Sequence, residues 1–209
     1  MFTGLVSDIG RVTSVEDVNG LRRIRVESRY PVGSIQMGAS IEHSGVCLTV
    51  VAFGATDGGG SWWLVEAVQE TLSRTTLGSW TVGSRVNLEL SLKLGDELGG
   101  HLVYGHVDGV GIVQSVTPDG DGRRIRIESA KPLSKFLAEK GSICVDGVSL
   151  TVSGVGRSDG ADWFEVAIIP HTWQVTTLGT LTPGDRVNLE VDMLARYVAR
   201  MLEYREAAS

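Results

Sequence analysis

Two short segments carry side chains suited to handling a small polar ring: Gly45-Val46-Cys47-Leu48-Thr49-Val50 and Gly147-Val148-Ser149-Leu150-Thr151-Val152. In an alternating strand Cys47 and Thr49 share one face, as do Ser149 and Thr151. Thiol and hydroxyl groups two residues apart can line a polar pocket and hydrogen-bond a heterocycle. Small residues filling a strand face give the same pattern, and the residues alone leave both readings open. His106, within Gly105-His106-Val107, stands where Leu5 stands in Gly4-Leu5-Val6. An imidazole titrates near neutrality and suits proton transfer, although a lone histidine after glycine fits a structural role equally. Lys140 and Asp146 read as surface charges. The other histidines, His43, His101 and His171, are scattered, and His101 with His106 lacks the spacing of a zinc-binding helix. No glycine cluster continues into a phosphate loop, and there is no nucleophile elbow. Any chemistry here falls to ordinary side chains, with no metal and no cofactor expected.

The elements that position these groups come in two copies. Arg22-Arg23-Ile24-Arg25-Val26-Glu27-Ser28 recurs as Arg123-Arg124-Ile125-Arg126-Ile127-Glu128-Ser129. Thr75-Thr76-Leu77-Gly78 recurs as Thr176-Thr177-Leu178-Gly179, and Arg85-Val86-Asn87-Leu88-Glu89 as Arg186-Val187-Asn188-Leu189-Glu190, at the same spacing. The Cys47 and Ser149 segments lie one residue further apart, a slip that an extra residue in one hairpin loop would produce. Collinear matches along the whole half-length make the chain a tandem duplication. Within each copy, polar and apolar residues alternate in short runs separated by turn clusters such as Asp57-Gly58-Gly59-Gly60 and Pro183-Gly184-Asp185. About six strands per copy predict an all-β fold of closed barrels, which leave no sheet edge exposed. Short helical turns are expected after Glu70 and over Lys131 to Leu137. Beyond the repeat, from Val191 to Tyr204, Leu194, Val198 and Met201 recur at three- and four-residue steps. This predicts an amphipathic helix, docked on its own barrel or used for oligomerisation.

The 209 residues include 42% hydrophobic ones, enough for two cores of ordinary size. A formal charge of -6 with no basic block argues against a nucleic-acid surface. No apolar run reaches membrane-spanning length, and Met1 to Asp8 lacks the features of a signal peptide. The two cysteines, Cys47 and Cys144, form no CxxC pattern and read as reduced cytoplasmic thiols.

With the repeat in place, the motifs resemble the riboflavin synthase family. They are Met1-Phe2-Thr3-Gly4-Leu5-Val6, the Cys47 segment, Gly99-Gly100-His101-Leu102-Val103-Tyr104-Gly105-His106-Val107 and Lys140-Gly141-Ser142-Ile143. Asp146-Gly147 with the Ser149 segment, Ile169-Pro170-His171-Thr172 and Asn188-Leu189-Glu190-Val191-Asp192 complete the set. The resemblance runs from the first residue to the terminal helix. It implies a tandem duplication of a six-stranded Greek-key β-barrel plus a C-terminal amphipathic α-helix, with barrels over 1–97 and 98–190 and a trimerising helix over 191–209. It also implies a homotrimer in which each barrel binds one 6,7-dimethyl-8-ribityllumazine. Sites would form between the N-terminal barrel of one subunit and the C-terminal barrel of a neighbour. One lumazine donates a four-carbon unit to the other, giving riboflavin and 5-amino-6-(ribitylamino)uracil. Association with lumazine synthase is left open.

Carried over motif by motif, the first half-site is Gly4, Leu5 and Val6 with Ser40, Cys47, Leu48, Thr49 and the stretch Glu66, Ala67, Val68, Gln69, Glu70 and Thr71. The second is Gly105, His106 and Val107 with Lys140, Asp146, Ser149, Leu150, Thr151 and the stretch Ala167, Ile168, Ile169, Pro170, His171 and Thr172. Backbone groups of the two stretches would read each pyrimidine edge. The resemblance implies proton transfer by His106 at the acidic 7-methyl group, addition or orientation by Ser149, Thr151 or water, and proton traffic through Asp192. Cys47 in place of Ser149 would make the half-sites unequal. Three positions depart from the family pattern: Leu5 replaces isoleucine, Ser44 replaces the asparagine before a turn glycine, and Tyr104 replaces a smaller or more polar residue. A non-catalytic lumazine- or flavin-binding antenna-type protein is the rival reading, and would need only one competent half-site. A flavin reductase barrel would need a nucleotide-binding domain after the barrel, for which the chain ends too soon.

Overall fold

The computed structural model describes residues 1–129, 131–158 and 160–207. The first copy supplies β1 (Asp8–Val18), β2 (Leu21–Ser28), β3 (Ser40–His43), β4 (Val46–Ala55), β5 (Ser61–Ala67) and β6 (Arg85–Leu90). The second supplies β7 (Gly109–Asp119), β8 (Gly122–Ser129), β9 (Ser142–Val145), β10 (Val148–Ser158), β11 (Ala161–Ile168) and β12 (Arg186–Val191). All pairings are antiparallel, and each set closes on itself in the same Greek-key order, β1-β2-β5-β4-β3-β6 and β7-β8-β11-β10-β9-β12. Short helices α1 (Gln69–Arg74) and α2 (Lys131–Ser134) fall where helical turns were expected, α3 (Pro170–Val175) repeats α1 in the second copy without having been expected, and α4 (Met193–Ala207) follows the second barrel.

The alternation of residue types builds two separate cores. Ile24, Val26, Val65 and Leu88 fill the first, and Ile125, Ile127, Val166 and Leu189 fill the second. At the first core Trp63 is fully buried and donates its indole N–H to His43 Nε2 at 2.8 Å. His43 Nδ1 lies 2.9 Å from the Ile41 carbonyl. Burial pushes the His43 pKa down to about 4, so the ring is neutral, with Nδ1–H donating and Nε2 accepting. In the second barrel Val145 and Phe164 take these two places, exchanging a hydrogen-bonded pair for an apolar one.

Reciprocal bonds join the barrels. Ser44-Gly45 and Asp146-Gly147 form the turns β3–β4 and β9–β10, with φ of 45° and 86° in the first and 45° and 81° in the second. Positive φ at both central residues matches the twist of a two-residue hairpin. Asn87 Nδ2 donates to the Asp146 carbonyl at 2.8 Å, and Asn188 Nδ2 donates to the Ser44 carbonyl at 2.7 Å. Their Oδ1 atoms accept from the N–H groups of Thr177 and Thr76. Serine at 44 leaves the turn intact, its hydroxyl accepting the Asn87 N–H. Asp146 is not a surface charge. It is buried in this interface, its carboxylate accepting the Asn188 N–H at 2.8 Å.

One feature of the terminal helix differs from expectation. Val191 ends β12 and is buried in the second core, because the barrel needs one more inward residue before the chain turns at Asp192. Helix α4 buries none of its side chains. Residues 208 and 209 of the expected 191–209 segment lie outside the described residues.

Candidate functional site

Each barrel is preceded by a leader, and the leaders change places. Phe2 and Val103 bridge each other through two backbone bonds, Phe2 N–H to the Val103 carbonyl at 2.7 Å and the reverse at 3.1 Å. The buried Glu89 carboxylate accepts the Thr3 N–H, the Thr3 hydroxyl and the Gly4 N–H. Glu190 does the same for the N–H groups of Tyr104 and His106. Held in this way, the Gly4 carbonyl accepts the Ser149 N–H of the second barrel at 2.8 Å. The Gly105 carbonyl accepts the Cys47 N–H of the first at 2.9 Å. Val6 then packs on the second core and Val107 on the first. Gly4 and Gly105 have φ of 74° and 73°, and a Cβ on either would collide with the Ser149 or Cys47 side chain, so both must be glycine.

This exchange regroups the expected half-sites. Gly4, Leu5 and Val6 face Ser149, not Cys47, and Gly105, His106 and Val107 face Cys47, not Ser149. A repeat alignment reads each leader with its own barrel; only the tertiary crossing shows that it serves the other.

Cys47 and Thr49 point outward from β4 while Leu48 is buried between them, and β10 repeats the arrangement with Ser149 and Thr151 outward. Leu150 packs on the second core. Ser40 is the cross-strand partner of Thr49. A cleft of about 390 Å3 runs along Cys47 and is lined by Glu70, Thr71, Gly105, His106 and Arg196. A second, of about 700 Å3, is lined by Val6, His171 and Gln174. Lys140 is exposed, holds φ of 67° and donates its N–H to the Val152 carbonyl at 2.8 Å. Gly38 makes the same bond to Val50 in the first barrel.

In the two stretches, Ala67 and Ile168 are buried and Glu66 is held by Arg23 at 2.6 Å. Val68 and Ile169 are extended residues at the helix starts, and Pro170 occupies the first turn, where a missing N–H costs nothing. First-turn N–H groups of α1 and α3 have no acceptor within their helix, which leaves backbone donors along Gln69 to Thr71 and at His171 and Thr172.

His101 is a candidate site residue that sequence reasoning passed over. Its Nδ1 lies 2.7 Å from Ser149 Oγ. Burial lowers its pKa while the Asp192 charge opposes that shift. Asp192 itself caps α4, its Oδ1 accepting the Leu194 N–H at 2.8 Å. A neutral imidazole against a hydroxyl can accept its proton, and the carboxylate can stabilise the cation that forms. The His106 ring lies 6.0 Å from that of Tyr104, beside the Cys47 cleft, and the Glu190 carboxylate accepts its backbone N–H. Among the described residues no group of His, Cys, Asp or Glu side chains is placed to hold a metal ion.

The lumazine binding domain family matches residues 3–91 and again 104–192. A riboflavin synthase of Brucella abortus (strain 2308) is 47% identical over 206 residues, covering 99% of this chain and 100% of its own. That of Bacillus subtilis (strain 168) is 34% identical over 202 residues, covering 97% and 90%. Among solved structures, LumP complexed with riboflavin superposes with a TM-score of 0.74 at 26% identity, covering 91% of this chain and 99% of that one. LumP complexed with 6,7-dimethyl-8-(1'-D-ribityl) lumazine superposes with a TM-score of 0.73, also at 26% identity.

Proposed function

The chain belongs to the riboflavin synthase family, and from that premise we propose that it dismutates two 6,7-dimethyl-8-ribityllumazine molecules into riboflavin and 5-amino-6-(ribitylamino)uracil. The observation that carries the reading is a pair of matching but unequal half-sites. One has Cys47 sharing a cleft with His106, the other has Ser149 against His101, and Thr49 and Thr151 lie on the same outward strand faces.

Two identical substrates in different roles need two similar binding faces with different chemistry. Outward thiol and hydroxyl groups border each ring, and the backbone donors at the start of α1 and α3 read the pyrimidine edge. The Ser149–His101 pair supplies a polarised hydroxyl, or a water it orients, at an electrophilic ring carbon, with Asp192 balancing charge on the imidazole. His106 is placed to move a proton at the ligand beside Cys47. Holding the rings together supplies effective concentration for the carbon transfer.

The assembly we propose is a homotrimer that brings the first half-site of one subunit to the second half-site of another. The exposed apolar stripe of α4 supports it, with Leu194 at 69%, Val198 at 58% and Met201 at 72% exposure. A helix whose apolar side is left exposed by the described residues of its own chain is suited to meeting a partner on another copy.

The test is incubation of purified protein with 6,7-dimethyl-8-ribityllumazine, following riboflavin by absorbance. Two lumazines should yield one riboflavin and one pyrimidine. A bound chromophore without turnover would instead favour a ligand-binding protein, the reading to which the likeness to LumP lends weight.

A further inference from the structure

We infer that the cleft along β1 and α3 is an anion site that takes a phosphomonoester group. Arg11 of β1 and Arg85 of β6 are direct cross-strand partners, both exposed, and both line this cleft. Like charges placed directly opposite each other destabilise a sheet. Neither guanidinium makes a hydrogen bond or ion pair among the described residues. A third arginine at the cleft, Arg29, is already neutralised by the buried Asp8 carboxylate, which accepts its Nε–H at 2.8 Å. His171 and Gln174 of α3 add donors. Two uncompensated cations therefore meet in one cleft of a chain whose formal charge is -6.

The other barrel shows that the fold does not require this. There Ile112 stands opposite Arg186, so the guanidinium is not doubled. The arginines of the matching cleft are paired, Arg74 with Glu70 at 2.8 Å and Arg196 with Asp108 at 2.7 Å. Paired guanidinium forks match phosphate oxygens in geometry and charge. Neutral lumazine and riboflavin need no such cations. Val6 and His171 belong to both this cleft and the second half-site, so a phosphate here sits beside the ligand of that half-site. It arrives either as the free ion or at the end of a phosphorylated ribityl chain.

The experiment titrates the intact protein with inorganic phosphate by calorimetry, and with riboflavin and flavin mononucleotide by fluorescence quenching. The variants are Arg11→Ile, which copies the residue found in the second barrel, and Arg85→Gln, with Arg186→Gln as control. Phosphate affinity should fall about tenfold or more in the first two, the loss expected from a charge-assisted hydrogen bond, and stay unchanged in the control. A flavin mononucleotide advantage over riboflavin that vanishes in Arg11→Ile assigns the phosphate to a phosphorylated flavin. Saturable phosphate binding with no such advantage assigns it to the free ion. Absence of both saturable phosphate heat and a mononucleotide advantage in the unaltered protein overturns the site. So do affinities that the two variants leave unchanged. Loss of lumazine turnover with phosphate binding retained would sink the proposed reaction and leave this site standing.

Discussion

Ser149 and His101 stand 48 residues apart in the chain and touch at 2.7 Å, so each can be tested through the other. Ser149→Ala and His101→Gln should each lower kcat by about 10²–10⁴-fold, the range for losing a positioned proton carrier. The double variant should be no worse than the poorer single one. Riboflavin binding at the Cys47 face should persist, since neither residue touches it. Stopped-flow turnover checks the rates, and strictly multiplicative losses would separate the two residues. Ser149 was legible in the sequence because strand alternation and the repeat both point to it. His101 was not, because no motif or spacing ties it to Ser149 and only the crossing of the leaders brings the two together. Asp146 was misread for a related reason. Its type suggests solvent, whereas the interface that buries it is made by the other half of the chain.

At the scale of elements, the strands followed from period-two alternation and the constant repeat spacing, and both barrels close as expected. The spacing slip has two sources. The β2–β3 connection is one residue longer in the second copy, and the β4–β5 hairpin is one residue longer in the first. Helix α4 was visible as a three- and four-residue pattern, but its first apolar position, Val191, belongs to the barrel. Deleting residues 193–209 removes the exposed Leu194, Val198 and Met201 side and the Arg196–Asp108 ion pair. It leaves both hydrophobic cores untouched. Sedimentation of the truncated chain should show folded monomers in place of trimers. A trimer that survives the deletion would move the subunit contact elsewhere.

Over the whole molecule, the buried interface sets a pH dependence. Burial first, and then neighbouring carboxylates, raises the Glu42 pKa to about 8 against the opposing Gly45 N–H. Burial raises Asp146 to about 7 against the Asn188 N–H. The folded state keeps both protons longer than the unfolded chain does, so the stability they contribute is fully present below about pH 4. It is lost as pH rises through 7 and 8. His43 acts in the opposite sense: its pKa of about 4 makes its contribution complete above about pH 6.5 and lost as pH falls through 4. The two effects oppose each other in mild acid, and above about pH 6.5 only the carboxyls remain. Thermal melts should therefore show Tm falling between about pH 6.5 and pH 8, and Glu42→Gln should flatten that slope; a slope unchanged in the variant would place the titrating group elsewhere. The reciprocal leaders carry a different kind of consequence. Two separate, identical barrels making the same exchange would have been an obligate pair, each lending its first residues to its twin, as swapped dimers do. In that ancestor any mutation struck both lenders at once, and symmetry kept the two faces alike. Joining the genes end to end released each face to drift alone, so that one could acquire cysteine and the other serine with a histidine.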